Sequence, residues 1–486
     1  MAALLLVAVG TPAVAQDYTL RVDARVQSVR FRGLTLDSIP VGNVLTAPQS
    51  GPQTPDGHAV RCAGGPYCYY FRPGPELHGI PATTTVSSTL WGFGVEGLSL
   101  RATGRILGDL GADDVWPATE PSAQLIEGYF EYERPAIVAR AGRQFVSSRL
   151  EHMGFDGGLL RGRWDRASLE LTGYAGWGLG QAAAVPVTSP ALNPLDEWRP
   201  RDRQTVAGAE VAWFWRGTDV RAEYRREKDP EDHAFVSERA AVSFGTYALA
   251  LRFTGGFDYN IAEGHLGSGD LNVSFIRDRF TVSGGARRYR PYFSLWTLWG
   301  AFSPVPYHAA SLSAQVRPYG WLRLHARGER YRYDDAEVTT ALVPQLEDRG
   351  WRTRIGATAT ARNQWFLDAQ YGVERGPGAS SRFMEGSVSY APSDRYSLDV
   401  YGGRLARPLE LRFYDARSRW IGARAQWQID PQRRIWTDVA YVGDDRDRPD
   451  AGASSLSQTR MRAGVTLTFG TRADRAPLPP ARRPAQ

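Results

Sequence analysis

Near its C-terminus the chain reads Arg460-Met461-Arg462-Ala463-Gly464-Val465-Thr466-Leu467-Thr468-Phe469. Met461, Ala463, Val465, Leu467 and Phe469 fall on one parity; Arg, Gly and Thr fill the other. Successive side chains of a β-strand point to opposite faces. One face of this run therefore suits hydrocarbon and the other water. The opposite end of the chain repeats the pattern. Tyr18, Leu20, Val22, Ala24 and Val26 oppose Thr19, Arg21, Asp23, Arg25 and Gln27. Between them it recurs, for example as Leu169 and Leu171 against Glu170 and Thr172, or Ile421, Ala423, Ala425 and Trp427 against Arg424, Gln426 and Gln428.

Composition agrees with strands rather than helices as the membrane-crossing element. Hydrophobic residues make up 42% of the 486 residues and charged residues 23%. Beyond the N-terminus no apolar run approaches the roughly 18 residues a membrane helix needs. Alternating barrel strands average out as polar in any window, so a barrel remains open. The 15 Trp and 22 Tyr suit membrane interfaces. Lys228 is the lone lysine, the net charge is +6, and no basic cluster points to nucleic acid as a partner.

Connections alternate strictly in length. Tight turns are read at Glu96-Gly97, Arg134-Pro135, Asp165-Arg166, Arg216-Gly217, Gly245-Thr246, Arg277-Asp278, Pro318-Tyr319, Asn363-Gln364, Pro392 to Arg395 and Asp430 to Arg433. Longer polar connections lie between them, chiefly 33–81, 108–121, 178–203, 258–266, 290–306, 332–349, 406–416 and 444–456, with shorter ones near 148–154, 229–233 and 376–380. Tight turns on one side and larger loops on the other are the asymmetry of outer-membrane barrels. The expected fold is an all-β, transmembrane, antiparallel up-and-down barrel of about 22 strands (about 20 to 24), both termini periplasmic. A soluble sandwich gives no reason for the alternation, and a propeller would need blade-length repeats that are absent.

Residues 1–15 read as an export signal, with an apolar run at Leu4 to Val9 and small residues Ala13 and Ala15 before the cleavage point. The barrel is assigned to 16–470 and a Pro- and Arg-rich periplasmic tail to 471–486. Cys62 and Cys68 are expected to form a loop disulfide in an exported chain. Their spacing does not fit a haem attachment, and no zinc partners stand at suitable spacing.

Barrels of this width enclose an aqueous lumen or a plug. The first strand begins so soon after the expected cleavage point that no N-terminal plug domain is anticipated, which argues against a TonB-dependent transporter. Segment 33–81 is then the leading internal filler, as a long extracellular or inward-folded loop. The inward parity is charged with both signs. The lumen is expected to be lined by Arg101, Arg105, Arg161, Arg163, Arg221, Arg323, Arg327, Arg352, Arg354 and Arg424, with Glu127, Glu131, Glu170, Glu223 and Glu329. Such ladders pair across strands and stiffen the wall, and an excess of Arg gives a mild anion preference. Segment 291–310 is unusually aromatic. Its Tyr292, Phe293, Trp296, Trp299, Phe302 and Tyr307 are candidates for a constriction or a partner surface.

No G-x-S-x-G or H-E-x-x-H run is present. The seven histidines are scattered, so no enzymatic activity, metal or cofactor is expected.

One local run resembles porins of the alginate-export type: Ala141-Gly142-Arg143-Gln144, then Arg149-Leu150, then Phe155-Asp156-Gly157. The resemblance implies a barrel with an Arg-lined lumen that passes an anionic polysaccharide. A wide barrel without its own plug also resembles the sheath subunit of porin–cytochrome conduits, which implies a multihaem cytochrome in the bore. The leading expectation is an outer-membrane channel for small polar or anionic solutes, with membrane lipid around it. An electron-conduit sheath and a surface-display or adhesion barrel are the alternatives.

Overall fold

The structure, a computed structural model, describes residues 17–47, 51–56, 58, 60–111, 122–179, 203–228, 235–290, 306–334, 348–376, 380–410, 413–448 and 452–471. The expected export signal and all of the expected tail but Thr471 lie outside these residues.

In chain order the strands are β1 (Asp17–Pro40), β2 (Leu45–Ala47), β3 (Gly51–Gln53), β4 (Val60–Cys62), β5 (Tyr67–Gly79), β6 (Pro81–Trp91), β7 (Leu98–Asp109), β8 (Ala123–Arg134) and β9 (Ile137–Ser148). Next come β10 (Glu151–Trp164), β11 (Leu169–Gly178), β12 (Thr205–Trp215), β13 (Thr218–Lys228), β14 (Phe235–Ala248), β15 (Leu251–Asn260), β16 (His265–Ile276), β17 (Phe280–Tyr289) and β18 (Tyr307–Tyr319). The last are β19 (Leu322–Tyr333), β20 (Arg349–Ala361), β21 (Trp365–Arg375), β22 (Ser381–Ser393), β23 (Tyr396–Glu410), β24 (Phe413–Asp430), β25 (Arg433–Arg448) and β26 (Gly452–Gly470).

β1 and β6 to β26 form one closed antiparallel ring of 22 strands. The seam lies on β1. Its first half pairs with β26 along one edge, Thr19 opposite Gly470 and Ser28 opposite Met461. Along the other edge it pairs with β6, Asp17 opposite Trp91. Sequential strands are spatial neighbours throughout, so both ends of the chain's ring lie with the tight turns.

Burial is inverted relative to a water-soluble domain. Leu160, Leu312, Met384 and Ile421 are more than half exposed, whereas Arg225 is 1% and Asp438 0% exposed. Leaving apolar area in water costs about 25 cal/mol per Å². An outer surface of this kind is stable against hydrocarbon, and it coincides with the apolar parity of the strands.

Eight of the ten expected tight turns lie where the sequence places them. Two are displaced. β14 runs through Gly245-Thr246 to Ala248, and the chain reverses at Leu249, whose φ is 58°. β18 likewise passes Pro318-Tyr319 and turns at Gly320-Trp321. The register shifts between Val316 and Tyr319, which places Pro318 at an irregularity where no ladder N–H is required.

The 33–81 segment is largely a continuation of the first hairpin rather than an irregular loop. Val29 to Pro40 of β1 pair with β5, from Val29 opposite Gly79 to Pro40 opposite Tyr67. Beyond that ribbon β4 pairs with β5, Cys62 stands opposite Cys68, and the two form the disulfide. Asp37 accepts an ion pair from Arg72 at 2.6 Å.

Aromatic pairs mark the tight-turn rim. Trp213 stacks with Trp215, Tyr319 with Trp321 and Tyr396 with Trp427, and Trp365 meets Tyr390 at a tilt. Rings that are half apolar and half wet settle at such an interface.

Candidate functional site

The ladder between β8 and β9 ends at Gly128 opposite Arg143, and that between β10 and β11 begins at Phe155 opposite Gly178. Beyond those limits the β9–β10 hairpin keeps its own ladder, from Gln144 opposite Phe155 to Ser148 opposite Glu151, and its backbone meets a neighbour at Gly154, whose carbonyl accepts from the Leu179 N–H at 2.9 Å. A row of glycines marks its base. Gly142, Gly157 and Gly176 are mutual register partners across β9, β10 and β11. Gly142 has φ +131°, and a Cβ there would lie 2.3 Å from the Gly128 carbonyl oxygen. At Gly157 it would lie 2.1 Å from the Ala175 oxygen. The backbones approach too closely for a side chain, and the hairpin bends there.

Its tip reaches strands three to six places further round the ring. The Arg149 N–H donates to Glu223 of β13 at 3.3 Å. Its guanidinium donates to the Gly256 carbonyl of β15 at 2.8 Å and to Asp270 of β16 at 2.5 Å. Glu151 lies 3.5 Å from Arg239 of β14, which also faces Asp258 at 3.5 Å. Only a chord across the interior joins these strands, so the polar parity of β13 to β16 faces inward. The hairpin thus folds into the bore and cuts off about a quarter of the ring.

Apolar packing holds it down. Met153, Phe155 and Val206 form a buried cluster, with Val146 and Tyr174 against it, and Leu150 is also buried. Gln144 is fully buried and donates to the Gly157 carbonyl at 3.1 Å. At the base Asp156 accepts from Arg143 at 2.8 Å and from Arg203 at 2.6 Å. Every residue quoted for the alginate-export-type resemblance therefore belongs to this element.

The charged parity forms pairs around single acidic hubs. Glu131 takes Arg101 at 2.8 Å and Arg140 at 2.6 Å. Glu170 takes Arg161 at 3.4 Å and Arg163 at 3.1 Å. Glu329 takes Arg287 at 2.8 Å, Arg327 at 3.3 Å and Arg352 at 2.5 Å. Asp438 takes Arg424 at 3.3 Å and Arg462 at 2.8 Å. Arg221 lies 3.5 Å from Glu210, Arg105 donates to Gln124 at 2.7 Å, and Glu127 accepts from Thr103 at 3.1 Å. Arg354 sits over the Phe383 ring at 4.9 Å. Among the described residues the buried Nε of Arg323 has no hydrogen-bond partner.

Beside the Glu329 hub, Tyr289, Tyr307, Tyr331 and Tyr333 form an aromatic cluster. Tyr307 is the one member of the aromatic segment that is described. Tyr292, Phe293, Trp296, Trp299 and Phe302 lie outside the described residues. A groove of about 310 Å³ runs along this wall between Arg287, Arg327, Arg352, Glu374 and Phe383.

Sequence reading missed Asp438 as a hub with Arg462 as its partner, Glu210 as the partner of Arg221, Arg140 and Arg287 as partners of Glu131 and Glu329, and Arg239. Strand alternation carried the signal for Asp438, which sits between the outward Ile435, Val439 and Tyr441.

No protein-family model and no curated protein matches the chain. Solved structures do. The ferric enterobactin receptor PfeA of Pseudomonas aeruginosa, in complex with enterobactin, aligns with a TM-score of 0.51 at 10% identity, over 93% of this chain and 81% of that one. The siderophore receptor PirA of the same organism gives 0.49 at 12% identity, over 93% and 80%. The Pseudomonas aeruginosa protein OccK1 (OpdK) gives 0.41 at 10%, over 94% and 100%. At such identities the likeness to PfeA is one of fold. The closed ring, its apolar outside and its charged inside make this chain an outer-membrane, porin-like β-barrel.

Proposed function

We propose that the barrel is a channel for small polar or anionic solutes, with the inward hairpin setting its bore and the arginine-rich wall setting its field. The observation that carries this reading is the Arg149 contact across the interior to Glu223, Gly256 and Asp270. A hairpin fastened at its tip narrows an aqueous lumen without closing it. The wall hubs support the anion preference, since each acid serves two or three guanidinium groups and leaves net positive charge along the path. The tyrosine cluster beside Glu329 adds ring faces suited to stacking a sugar or another flat solute. In this reading the tight turns and both termini face the periplasm, after export through the cleaved signal. A multihaem cytochrome in the bore would compete with the hairpin for space, so the sheath reading ranks second.

Planar-bilayer recording of the purified chain tests the proposal. The wild type is expected to conduct and to give a reversal potential displaced toward chloride in a KCl gradient. Replacing residues 145–153 by a two-residue glycine turn is expected to raise the unit conductance and keep that preference. Absence of conductance in the wild type, or a unit conductance unchanged by the deletion, overturns the reading.

A further inference from the structure

On the outer face of the wall, the loop end of β17 to β20 departs from the apolar rule. Arg288, His308, Arg332 and Arg349 stand in one register row across these four strands. One step nearer the tight turns, the row Leu271, Ala286, Ala310, Arg330, Trp351 adds Arg330, and Arg375 of β21 follows. Parity fixes which face these side chains share. They alternate with Arg287, Glu329 and Arg352 of the inner hub and fall in phase with the exposed Val282, Leu312, Leu324 and Ile355.

The patch is cationic. Asp334 lies 3.6 Å from Arg288 and 3.1 Å from His308. Asp348 lies 2.7 Å from Arg332 and 3.4 Å from Arg349. Two carboxylates thus face five arginines and a histidine, and among the described residues Arg330 and Arg375 make no ion pair. An open concavity of about 750 Å³ runs over Leu271, Ala286, Arg288, His308, Arg330 and Arg349. Cations facing a membrane from a barrel wall need an anionic partner at headgroup height. Guanidinium groups present paired N–H donors that match phosphate oxygens. The belt just below, Leu271, Ala286, Leu312 and Trp351, suits acyl chains. A soluble anion gains nothing from that belt, whereas a lipid meets both parts at once. The other rim carries aromatic pairs in this position instead.

We propose that this outward patch binds a phosphorylated glycolipid of the outer leaflet. Arg288, Arg330, Arg332 and Arg349 hold its phosphates, and its chains lie along the apolar belt. This site is separate from the bore and goes beyond the channel reading.

The test uses the full chain, delipidated in detergent, and native mass spectrometry with three probes: bisphosphorylated lipid A, its dephosphorylated form and inorganic phosphate. The wild type is expected to retain bisphosphorylated lipid A preferentially. Each arginine replaced should weaken retention about five-fold, so R288Q/R330Q/R332Q should lose on the order of 100-fold. R277Q, at the tight-turn rim, should match the wild type, and heat-modifiable gel migration verifies that each variant is folded. Equal retention of phosphorylated and dephosphorylated lipid overturns the proposal, as does unchanged binding in the triple variant. Full displacement by millimolar inorganic phosphate shows a simple anion site and overturns the lipid assignment.

Discussion

Two hairpins outgrow the ring at its loop end, and they take opposite courses. The β9–β10 hairpin bends at a glycine row and buries Leu150, Met153 and Phe155 against the inner wall. The β1–β5 ribbon carries its ladder on past a register shift between Arg32 and Leu34 and has Leu36, Tyr67 and Tyr69 half exposed. Both start from the same antiparallel pairing. What separates them is whether apolar side chains find a wall to cover them, and whether the backbone at the base is free of Cβ atoms. The inward hairpin is held by packing and long-range hydrogen bonds. The ribbon is held locally, by its own ladder, a disulfide and ion pairs.

Three measurements sharpen that contrast. The largest effect is expected from Phe155→Ala, which removes the centre of the buried cluster. It should destabilise the inward position by about 3 kcal/mol or more. Amide exchange in 144–154 should accelerate while the ring's remains slow, and single-channel current should become noisier. Unchanged protection of this segment would show that packing does not hold it. Next, Cys62→Ser with Cys68→Ser should cost the ribbon about 2 kcal/mol through the short loop the disulfide closes. Its amides should exchange faster with no change in unit conductance, so a change in conductance would couple the two hairpins. The smallest effect is a pH dependence. The Ser38 N–H, and then the Arg72 guanidinium, hold the Asp37 carboxyl below the ordinary aspartate value. A depressed folded-state value stabilises the ribbon above the unfolded value, near pH ~4, and that contribution disappears as pH falls through the folded value. Ribbon exchange should therefore accelerate below about pH 4 in the wild type and show less pH dependence in Asp37→Asn.

Much of the ring was legible because period-two alternation is local. Met461 to Phe469 and Tyr18 to Val26 reveal their faces without reference to any other strand, and they prove to be the two sides of the seam. Most turn positions were legible, but a glycine alone did not fix them: Gly245 lies inside β14, and the reversal after β18 falls at Gly320 rather than at Pro318-Tyr319. The reversal at Leu249 offers no such cue, because a leucine occupies the left-handed region there. The direction of the inward hairpin was not legible. Gly142, Arg149 and Phe155 stood out as a motif, but Arg149 meets partners 74, 107 and 121 residues away. No local pattern encodes contacts at that separation. The pairing inside the 33–81 segment was not legible for a related reason, since it continues a ladder whose two strands are far apart in sequence.

The seam on β1 also governs biogenesis. The strand made first must wait for the strand made last, because Thr19 to Ser28 find their second partner only in β26. Until then two bare edges remain, and in hydrocarbon each unpaired backbone group costs several kcal/mol. A ring that lacked β26 would leave both edges bare in hydrocarbon, so the pairing of β1 with β26 is the step that makes the wall stable in a membrane.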